Sequence, residues 1–363
     1  MKRPLFWFMV CLLTNLTLRA DVPVWVIGQE GIHFSDFDSK KGTLSTPSLA
    51  AEFDGGSWVM EHPSAPVLYA SWGRMGVAAY RIGNGHSLEL INRVELPAGA
   101  AAHIAVDPTG TLLATAHWGG KSVTLVPLEK TGALNGAGLV TYEPTFGQKG
   151  PRPVQTQPRP HWSRFSADGS FLDVTDLGGD RLWTFKVSRS PLGLSVHQEL
   201  PFPAGFGPRH MDLNANKTHA YVSGELSSEI AVLDYDGARQ TYARSQILRT
   251  LGPTDKEPAN NTSEVRIHPN GRFVFIGNRG NDSISVFAVD AKTGQLTPVE
   301  REPVRGIWPR NFNLDPSGKW MIVAGQYSDS LTVFAIDEAS GELTFNRQIQ
   351  SVKGPVRVLF GND

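Results

Sequence analysis

The sequence predicts an all-β protein, a seven-bladed β-propeller in which almost nothing reads as helix. Three observations lead to this prediction. One sequence pattern recurs six times, each unit has room for four short strands, and the two chain ends together supply the strands of one further unit. The 37 glycines and 25 prolines fit a chain with many tight turns.

The recurring pattern is clearest in five stretches. Each has a short alternating run, a turn of the Asp-Pro-x-Gly kind, a longer apolar run, a loop and a third alternating run. Alternation with a period of two is typical of half-buried strands. The stretches are HIAVDPTGTLLATAHWGGKSVTLVPL (103–128), WSRFSADGSFLDVTDLGGDRLWTFKV (162–187), HMDLNANKTHAYVSGELSSEIAVLDY (210–235), EVRIHPNGRFVFIGNRGNDSISVFAV (264–289) and NFNLDPSGKWMIVAGQYSDSLTVFAI (311–336), with a weaker copy at 58–82.

The spacing of the turns gives the length of a unit. Aligned turn positions fall at Pro63, Pro108, Ala167, Ala215, Pro269 and Pro316, so successive units are 45, 59, 48, 54 and 47 residues apart. A fourth strand follows in several units, as in DAKTGQLTPVE (290–300). Four strands in a unit of about 40–50 residues are typical of a propeller blade.

The chain ends predict the seventh blade. Residues 22–49 supply three strands without an innermost one, and GPVRVLF (354–360) supplies an innermost strand with nothing after it. Joining them closes the ring and removes the open sheet edges. A solenoid or a pair of β-sandwiches would not need complementary ends, so residues 21–363 are predicted to be one seven-bladed domain.

The first 20 residues have the pattern of a secretory signal peptide. Lys2 and Arg3 precede the apolar run LFWFMVCLL (5–13), and cleavage after Ala20 would leave a periplasmic or secreted protein with no membrane attachment. The alternative is an uncleaved anchor, but the apolar run is short for a bilayer. Cleavage would also remove Cys11, the single cysteine, and with it any thiol chemistry.

Four charged or polar residues are predicted to meet at one mouth of the central channel. Counted from the turns, His161 and Arg209 lie six residues before the turn in consecutive blades, and Glu225 and Arg279 lie ten after it. In an antiparallel hairpin the start of the first strand and the end of the second share one end. The four side chains therefore form a candidate anion-binding pocket with a possible base.

Further candidates for this pocket follow from the same alignment. Arg310 occupies the position of Arg209 two blades on, and Gln326 that of Glu225. His210 neighbours Arg209 but is expected on the opposite face of its strand, and His103 is a candidate at the channel end. Long connections, residues 130–160 and 251–263, enter the blades of His161 and Arg279, where binding loops are common.

Several segments resemble the seven-bladed propeller lactonase family, which contains the bacterial propeller-type 6-phosphogluconolactonase and the fungal carboxy-muconate lactonizing enzyme. The similar segments are DLGGDRLWTF (176–185), GPRHM…AYVSGELSS (207–228), SEVRIHPNGRFVFIGNRGNDSISVFAVD (263–290) and PRNFNLDPSGKWMIVAGQYSDSLTVFAID (309–337). The resemblance places the catalytic histidine at His161, the arginines at Arg209 and Arg279 and the glutamate at Glu225. Gly224 and Trp162 depart from the family pattern and are expected at the pocket.

The resemblance implies hydrolysis of a sugar-type lactone without a metal or other cofactor. His161 or Glu225 would activate water, and the two arginines would hold the substrate anion and the developing oxyanion. No HExxH motif or G-x-S-x-G elbow is present. The expected partner is a small anionic lactone or sugar acid, and the protein is expected to be a monomer.

Two other functions remain open from the sequence. An exported, non-enzymatic propeller could bind an anionic sugar or a protein partner at the same mouth. A metal-dependent lactonase of the six-bladed type is disfavoured by the repeat count. A net charge of −1 with no basic stripe argues against nucleic-acid binding.

Overall fold

Seven antiparallel sheets make up the part of the chain that the computed structural model describes, residues 21–147, 149–252 and 260–362. Within it, single 3-10 turns at Asn84–His86 and Gly136–Gly138 are the only helical elements. The innermost strands of successive sheets contact one another in a closed series, so the sheets stand as blades around a central channel. The predicted seven-bladed propeller is confirmed.

The chain begins in the seventh blade and then builds blades 1 to 3. The strands are β1 (Asp21–Gly28), β2 (Gly31–Asp38), β3 (Thr43–Leu44) and β4 (Ser48–Glu52), then β5 (Val59–Glu61), β6 (Val67–Trp72), β7 (Gly76–Ile82) and β8 (Leu88–Glu95) in blade 1, β9 (His103–Val106), β10 (Leu112–His117), β11 (Ser122–Pro127) and β12 (Val140–Tyr142) in blade 2, and β13 (Pro160–Phe165), β14 (Phe171–Asp176), β15 (Arg181–Arg189) and β16 (Leu192–Pro201) in blade 3.

Blades 4 to 6 repeat the same order, with the innermost strand first. Their strands are β17 (Pro208–Leu213), β18 (His219–Gly224), β19 (Glu229–Asp236) and β20 (Thr241–Arg249), β21 (Asn261–Ile267), β22 (Phe273–Arg279), β23 (Ser283–Val289) and β24 (Leu296–Pro303), and β25 (Pro309–Leu314), β26 (Trp320–Gly325), β27 (Ser330–Ile336) and β28 (Leu343–Ser351). The final strand is β29 (Arg357–Phe360).

The seventh blade closes the ring in the predicted way. Strand β29 pairs antiparallel with β1, from Val24 opposite Phe360 to Ile27 opposite Arg357. The outer strand differs from the expectation, because it is divided into β3 and β4 around Pro47. Proline has no backbone N–H to donate to the sheet, which accounts for a break in the ladder at this point.

Residues 130–160, predicted as a connection, instead begin by completing blade 2. The chain folds back through Leu134, whose backbone is held on both sides by the Asn92 side chain at 2.8 and 3.1 Å. It then forms β12, with Tyr142 opposite Val123 on β11. Leu134 and Leu139 pack into the core between blades 1 and 2, which explains why the segment stays on the sheet. Of the second predicted connection, residues 253–259 lie outside the described residues.

The cores lie between neighbouring blades. In blades 1 and 2, for example, Tyr69 and Val77 pack against Leu113 and Val126, all of them buried. Alternating strand residues face the blade on either side, so each sheet buries both of its faces. This arrangement makes every blade depend on two neighbours and makes the ring a single cooperative unit.

Four consecutive innermost strands carry an irregularity near the start. The register shifts between Pro160 and Trp162 in β13, Pro208 and Met211 in β17, Thr262 and Val265 in β21, and Pro309 and Asn311 in β25. A bulge bends a strand and redirects its side chains, and bulges are frequent beside functional sites. The bulged positions include four residues selected from the sequence, His161, Arg209, His210 and Arg310.

Candidate functional site

Two arginines meet one carboxylate oxygen at the mouth of the channel. Arg209 Nε and Arg279 Nη2 each lie 2.9 Å from Glu225 Oε2. Arg209 and Arg279 are buried, with 3% and 6% of their side chains exposed, so their charges are poorly screened by water. Two cations and one anion leave this arginine–glutamate cluster with a surplus positive charge.

The backbone fixes each member of the cluster. Arg209 lies in the bulge of β17, and Glu225 follows β18, its N–H donating to Gly207 O at 2.8 Å. Arg279 ends β22, and its guanidinium donates to Asn261 O at 3.3 Å and Thr262 O at 2.9 Å. These bonds tie the Arg279 guanidinium to the backbone of β21, and its Nη2 is shared between Thr262 O and the Glu225 carboxylate.

The ion pairs leave hydrogen-bonding capacity unused. Despite the short distances, Glu225 Oε2 and Arg209 Nε are not aligned as hydrogen bonds, and Arg209 Nη1 also has no partner among the described residues. Burying an arginine donor without an acceptor is costly. A bound anion facing Arg209 would remove that cost, so the cluster is suited to bind one.

His161 lies beside the cluster. It occupies the bulge of β13, is 7% exposed, and its Nδ1 has no hydrogen-bond partner among the described residues. Burial, followed by Arg209 and His210, holds the pKa of His161 well below its usual range. The imidazole is therefore neutral at neutral pH and can accept a proton.

The charges of the cluster perturb one another. Burial and then Arg279 lower the pKa of Arg209 to about 9, although the nearby Glu225 acts in the opposite direction. Burial alone would raise the pKa of Glu225, but Arg279 and Arg209 outweigh it and keep the pKa below its usual value. Glu225 is thus a carboxylate whose affinity for a proton is reduced by its partners.

A cavity of about 560 Å³ opens onto these groups. Its polar floor is formed by His161, Glu225, Arg279 and Arg310. One wall consists of small residues from the loop before β9, Ala98 and Ala100–Ala102. Trp118 forms a further wall, with the Arg159 guanidinium 4.0 Å from its ring centroid. The cavity combines charged groups with an apolar wall and suits a small polar molecule.

Arg310 and Gln326 are placed differently. Arg310 shares the cavity, and burial followed by Arg279 lowers its pKa to about 10, while Glu225 and Tyr327 act in the opposite direction. Gln326 lines a neighbouring cavity of about 430 Å³ with Tyr327. Its Oε1 is buried without a partner in the described part of the chain.

His103 and His210 belong to a buried layer beneath the cavity. The bulge in β17 interrupts the alternation that would turn His210 away from Arg209, and its ring lies 5.1 Å from that of His161. His210 Nδ1 is 3.1 Å from Glu264 Oε1, and the His103 ring is 4.0 Å from that of Trp58. Neither histidine lines the cavity as described, and their binding of substrate stays a prediction.

The buried layer also contains two charged residues that the sequence did not single out. Glu264 is 1% exposed and Arg357 is 3% exposed, and their side chains are 3.9 Å apart. Asn311 donates to Glu264 from the next blade. Both charges stand in repeat positions on innermost strands, so the blade alignment that located Arg209 would have found them.

The two departures from the family pattern have structural reasons. A side chain at Gly224 would meet the ring of Phe206, with a Cβ only 2.6 Å from Cε2. Trp162 is 6% exposed and packs in the core with Phe206 and Met211, away from the cavity lining. The expectation that Trp162 lies at the pocket is therefore wrong, because the bulge in β13 turns it between the blades.

Among residues 21–147, 149–252 and 260–362, no group of three or more His, Cys, Asp or Glu side chains is placed to hold a metal ion. In the same residues there is no helix with the length and apolar character needed to cross a bilayer.

Comparison with known proteins agrees with this architecture. Residues 27–360 match the family described as "Lactonase, 7-bladed beta-propeller". The chain is 32% identical over 292 residues to the 6-phosphogluconolactonase of Bacillus subtilis (strain 168), covering 79% of this chain and 82% of that protein.

Solved structures show the same likeness. The Pseudomonas aeruginosa periplasmic gluconolactonase PpgL superposes with a TM-score of 0.86 at 26% identity, covering 94% of this chain and 99% of that one. A Lactobacillus plantarum protein gives 0.87 at 30% identity, with coverages of 94% and 100%. The chain belongs to the seven-bladed β-propeller lactonase family.

Proposed function

We propose that the protein hydrolyses the ring ester of a sugar-type lactone without a metal, using the cavity lined by His161, Glu225 and Arg279, with Arg209 paired to Glu225. One observation carries the proposal. Two buried arginines share a single carboxylate oxygen next to a neutral imidazole with a free nitrogen, in a chain that belongs to a lactonase family.

The chemistry needs an activated water and a place for negative charge. Water adds to the lactone carbonyl, the carbonyl π bond breaks, and its electron pair becomes an oxyanion. Arg209 and Arg279 supply N–H donors and positive charge for that oxyanion. When the intermediate collapses, the ring C–O bond breaks, and the alkoxide leaving group takes the proton that the base removed from water, which gives the hydroxy acid.

His161 is the better candidate for the base. His161 is neutral and lines the cavity, and its Nδ1 has no partner among the described residues, whereas Glu225 Oε2 already faces two arginines. Four nearby groups, Arg209, His210, Arg310 and Arg279, oppose protonation of His161 in the empty site. An oxyanion formed in the same step would offset them and favour the imidazolium.

The substrate is proposed to be a sugar lactone that carries a negative charge or forms one. The similar Bacillus subtilis protein is named for a phosphorylated sugar lactone, and the similar Pseudomonas aeruginosa protein for gluconolactone. The surplus positive charge of the arginine–glutamate cluster, to which Arg310 adds, favours an anionic ligand.

We also propose that the protein is exported. Residues 1–20, which lie outside the described residues, have the pattern of a signal peptide. The structurally similar Pseudomonas aeruginosa protein is described as periplasmic. Amino-terminal sequencing of the protein from a periplasmic or culture fraction should begin at Asp21; a start at Met1 would contradict export by cleavage.

A lactone panel tests the proposed activity. Ring opening of 6-phosphogluconolactone, gluconolactone and a carboxylated lactone would be followed with and without a chelator, after subtraction of the uncatalysed rate. We expect catalysis that resists the chelator and is lost in Arg209→Ala. Loss of activity on chelation would overturn the metal-free mechanism, and an inert wild-type protein would favour the non-enzymatic binding function.

A further inference from the structure

One backbone device recurs where the chain enters three of the blades. In each case the next blade is entered through a proline. The residue before that proline donates its backbone N–H to an aspartate in a hairpin of the preceding blade. Asp180 holds Gly207, Asp282 holds Trp308 and Asp329 holds Gly354, each at 2.7 Å. The held residues have φ values of +64°, +64° and +54°.

Trp308 is the exception in this series. A positive φ of this size suits glycine, but it is unfavourable for a bulky side chain. The equivalent glycine, Gly207, shows that the propeller makes the same turn without strain. Among these three blade entries only Trp308 carries this strain, and its place beside a candidate site points to a use for the side chain.

The side chain that covers this position also differs between blades 4 and 6. In blade 4 Leu226 covers Gly207, so that a Cβ there would lie 2.5 Å from Leu226 Cγ. In blade 6 the residue equivalent to Leu226 is Tyr327, and its ring stacks on Trp308 with centroids 5.1 Å apart and planes at 22°. Tyr327 is nevertheless 63% exposed, so its ring presents an aromatic face to solvent, while Trp308 beneath it is half-buried.

This pair lies against the arginines of the site. The Arg279 guanidinium is 5.5 Å from the Trp308 ring centroid, and Tyr327 acts electrostatically on Arg310. Two backbone bonds join the segments that carry the rings, just before β25 and just after β26, from Gln326 N to Trp308 O and from Tyr327 N to Ile307 O. The aromatic pair therefore connects Arg279 on the floor of the first cavity, which Trp308 contacts, to the neighbouring cavity, which Tyr327 lines.

We propose that Trp308 and Tyr327 form an aromatic platform that stacks the ring of a sugar lactone while the arginines hold its anion. A sugar ring has an apolar C–H face and a polar edge, and exposed aromatic rings beside charged donors complement both. The proposal rests on the proposed function, since it assigns the specificity for a sugar ring to residues outside the arginine–glutamate cluster.

Binding of D-glucono-1,5-lactam, whose ring amide resists hydrolysis, tests the platform by calorimetry. Trp308→Gly and Tyr327→Leu install the residues found at the equivalent places in blade 4. We expect each to weaken lactam binding about tenfold, and Tyr327→Phe, which keeps the ring, to bind as the wild type does. Ile349→Ala, a change at an exposed apolar residue of outer strand β28, is the control.

Thermal unfolding separates a binding role from a packing role. Glycine adopts the backbone of position 308 freely, so Trp308→Gly should keep the wild-type melting temperature while losing affinity. Trp308→Gly could also weaken binding by displacing Arg279, because Trp308 contacts that guanidinium. Tyr327→Leu keeps Trp308, so a loss of affinity in this variant cannot come from losing that contact.

The outcomes distinguish the platform from the proposed function. Equal lactam affinity in the wild type, Trp308→Gly and Tyr327→Leu would overturn the platform even if the protein opens lactones, and so would failure of the wild type to bind the lactam. A wild-type protein that binds the lactam through these rings but opens no lactone would overturn the proposed hydrolysis and support the platform.

Discussion

The Arg357 guanidinium lies 3.8 Å from the ring centroid of Trp58, across the seam where the last strand meets the first complete blade. Arg357 begins β29 in blade 7, and Trp58 precedes β5 in blade 1. The seam is therefore joined by a buried cation–π contact in addition to the pairing of β29 with β1. Such contacts are strongest where water is excluded.

Arg357→Ala is expected to destabilise the protein markedly. The change removes the contact with Trp58 and leaves the buried Glu264 carboxylate with one cation fewer, so a loss of about 3–5 kcal/mol is expected. Urea unfolding at pH 7.5 measures it. The control is Arg81→Ala, since Arg81 is an exposed arginine in blade 1 that faces Glu89 at 3.6 Å. A loss no larger than the control's would show that the layer beneath the cavity does not support the seam.

Arg209→Ala is expected to lower lactone hydrolysis more than about a hundredfold, because it removes donors for the oxyanion. Folding should persist, as Arg279 remains to pair with Glu225. The measurement is kcat/KM for the best lactone of the panel, with circular dichroism as a check on folding. Arg244→Ala, on outer strand β20 of the same blade, is the matched control. Near-wild-type rates in Arg209→Ala would remove Arg209 from the mechanism.

His161→Gln and Glu225→Gln separate the two candidate bases. If His161 takes the proton from water, His161→Gln should cost at least about a hundredfold in kcat. Glu225→Gln should cost less, and it should tighten binding of an anionic product because the arginines lose their internal partner. The reverse ranking of the two kcat values would make Glu225 the base.

The pH dependence of activity gives a second view of His161. Its pKa is held well below the usual value by burial and by Arg209, so the neutral form persists as the pH falls through about 6.5. We expect kcat/KM of the wild type to stay level from pH 7.5 to pH 6 on a lactone that is itself stable there. A fall centred near 6.5 would mean that the base titrates as an ordinary exposed histidine.

Stability is expected to decrease as the pH falls below about 6.5. Burial lowers the pKa values of His103, His161 and His210 in the folded protein, so the unfolded chain binds more protons in this range. Each group then removes up to about 1.4 kcal/mol per pH unit below its unfolded pKa. Urea unfolding at pH 7.5 and 5.5 tests this, and His210→Gln should reduce the difference. Equal stability at both pH values would contradict the burial of neutral histidines.

The sequence predicted the blades and the meeting of Arg209, Glu225 and Arg279 because both follow from the number of residues between each position and the turn of its blade. The strand pairing in each hairpin fixes distances from the turn, so equivalent positions in different blades reach the same end of the channel. The same reasoning predicted the closure by β29, since complementary end strands leave no other way to cover both sheet edges.

The bulges could not be predicted in this way. An inserted residue at Arg209–His210 or at His161 changes which side chains face the channel, yet it leaves the alternating pattern of the sequence nearly unchanged. The orientation of His210 and the burial of Trp162 depend on such local shifts. From the sequence, the positive φ of Trp308 could be suspected only because Trp308 stands where blade 4 has Gly207.

The pairing of β29 with β1 also determines when the protein can finish folding. Strand β29 is synthesised after all the other strands described above, and until it emerges from the ribosome the nascent chain has no inner strand for blade 7. During synthesis the ring stays open, with unpaired edges that a chaperone can recognise. If the protein is exported as proposed, this delay would keep the chain open enough to pass through a translocation pore until β29 has been made.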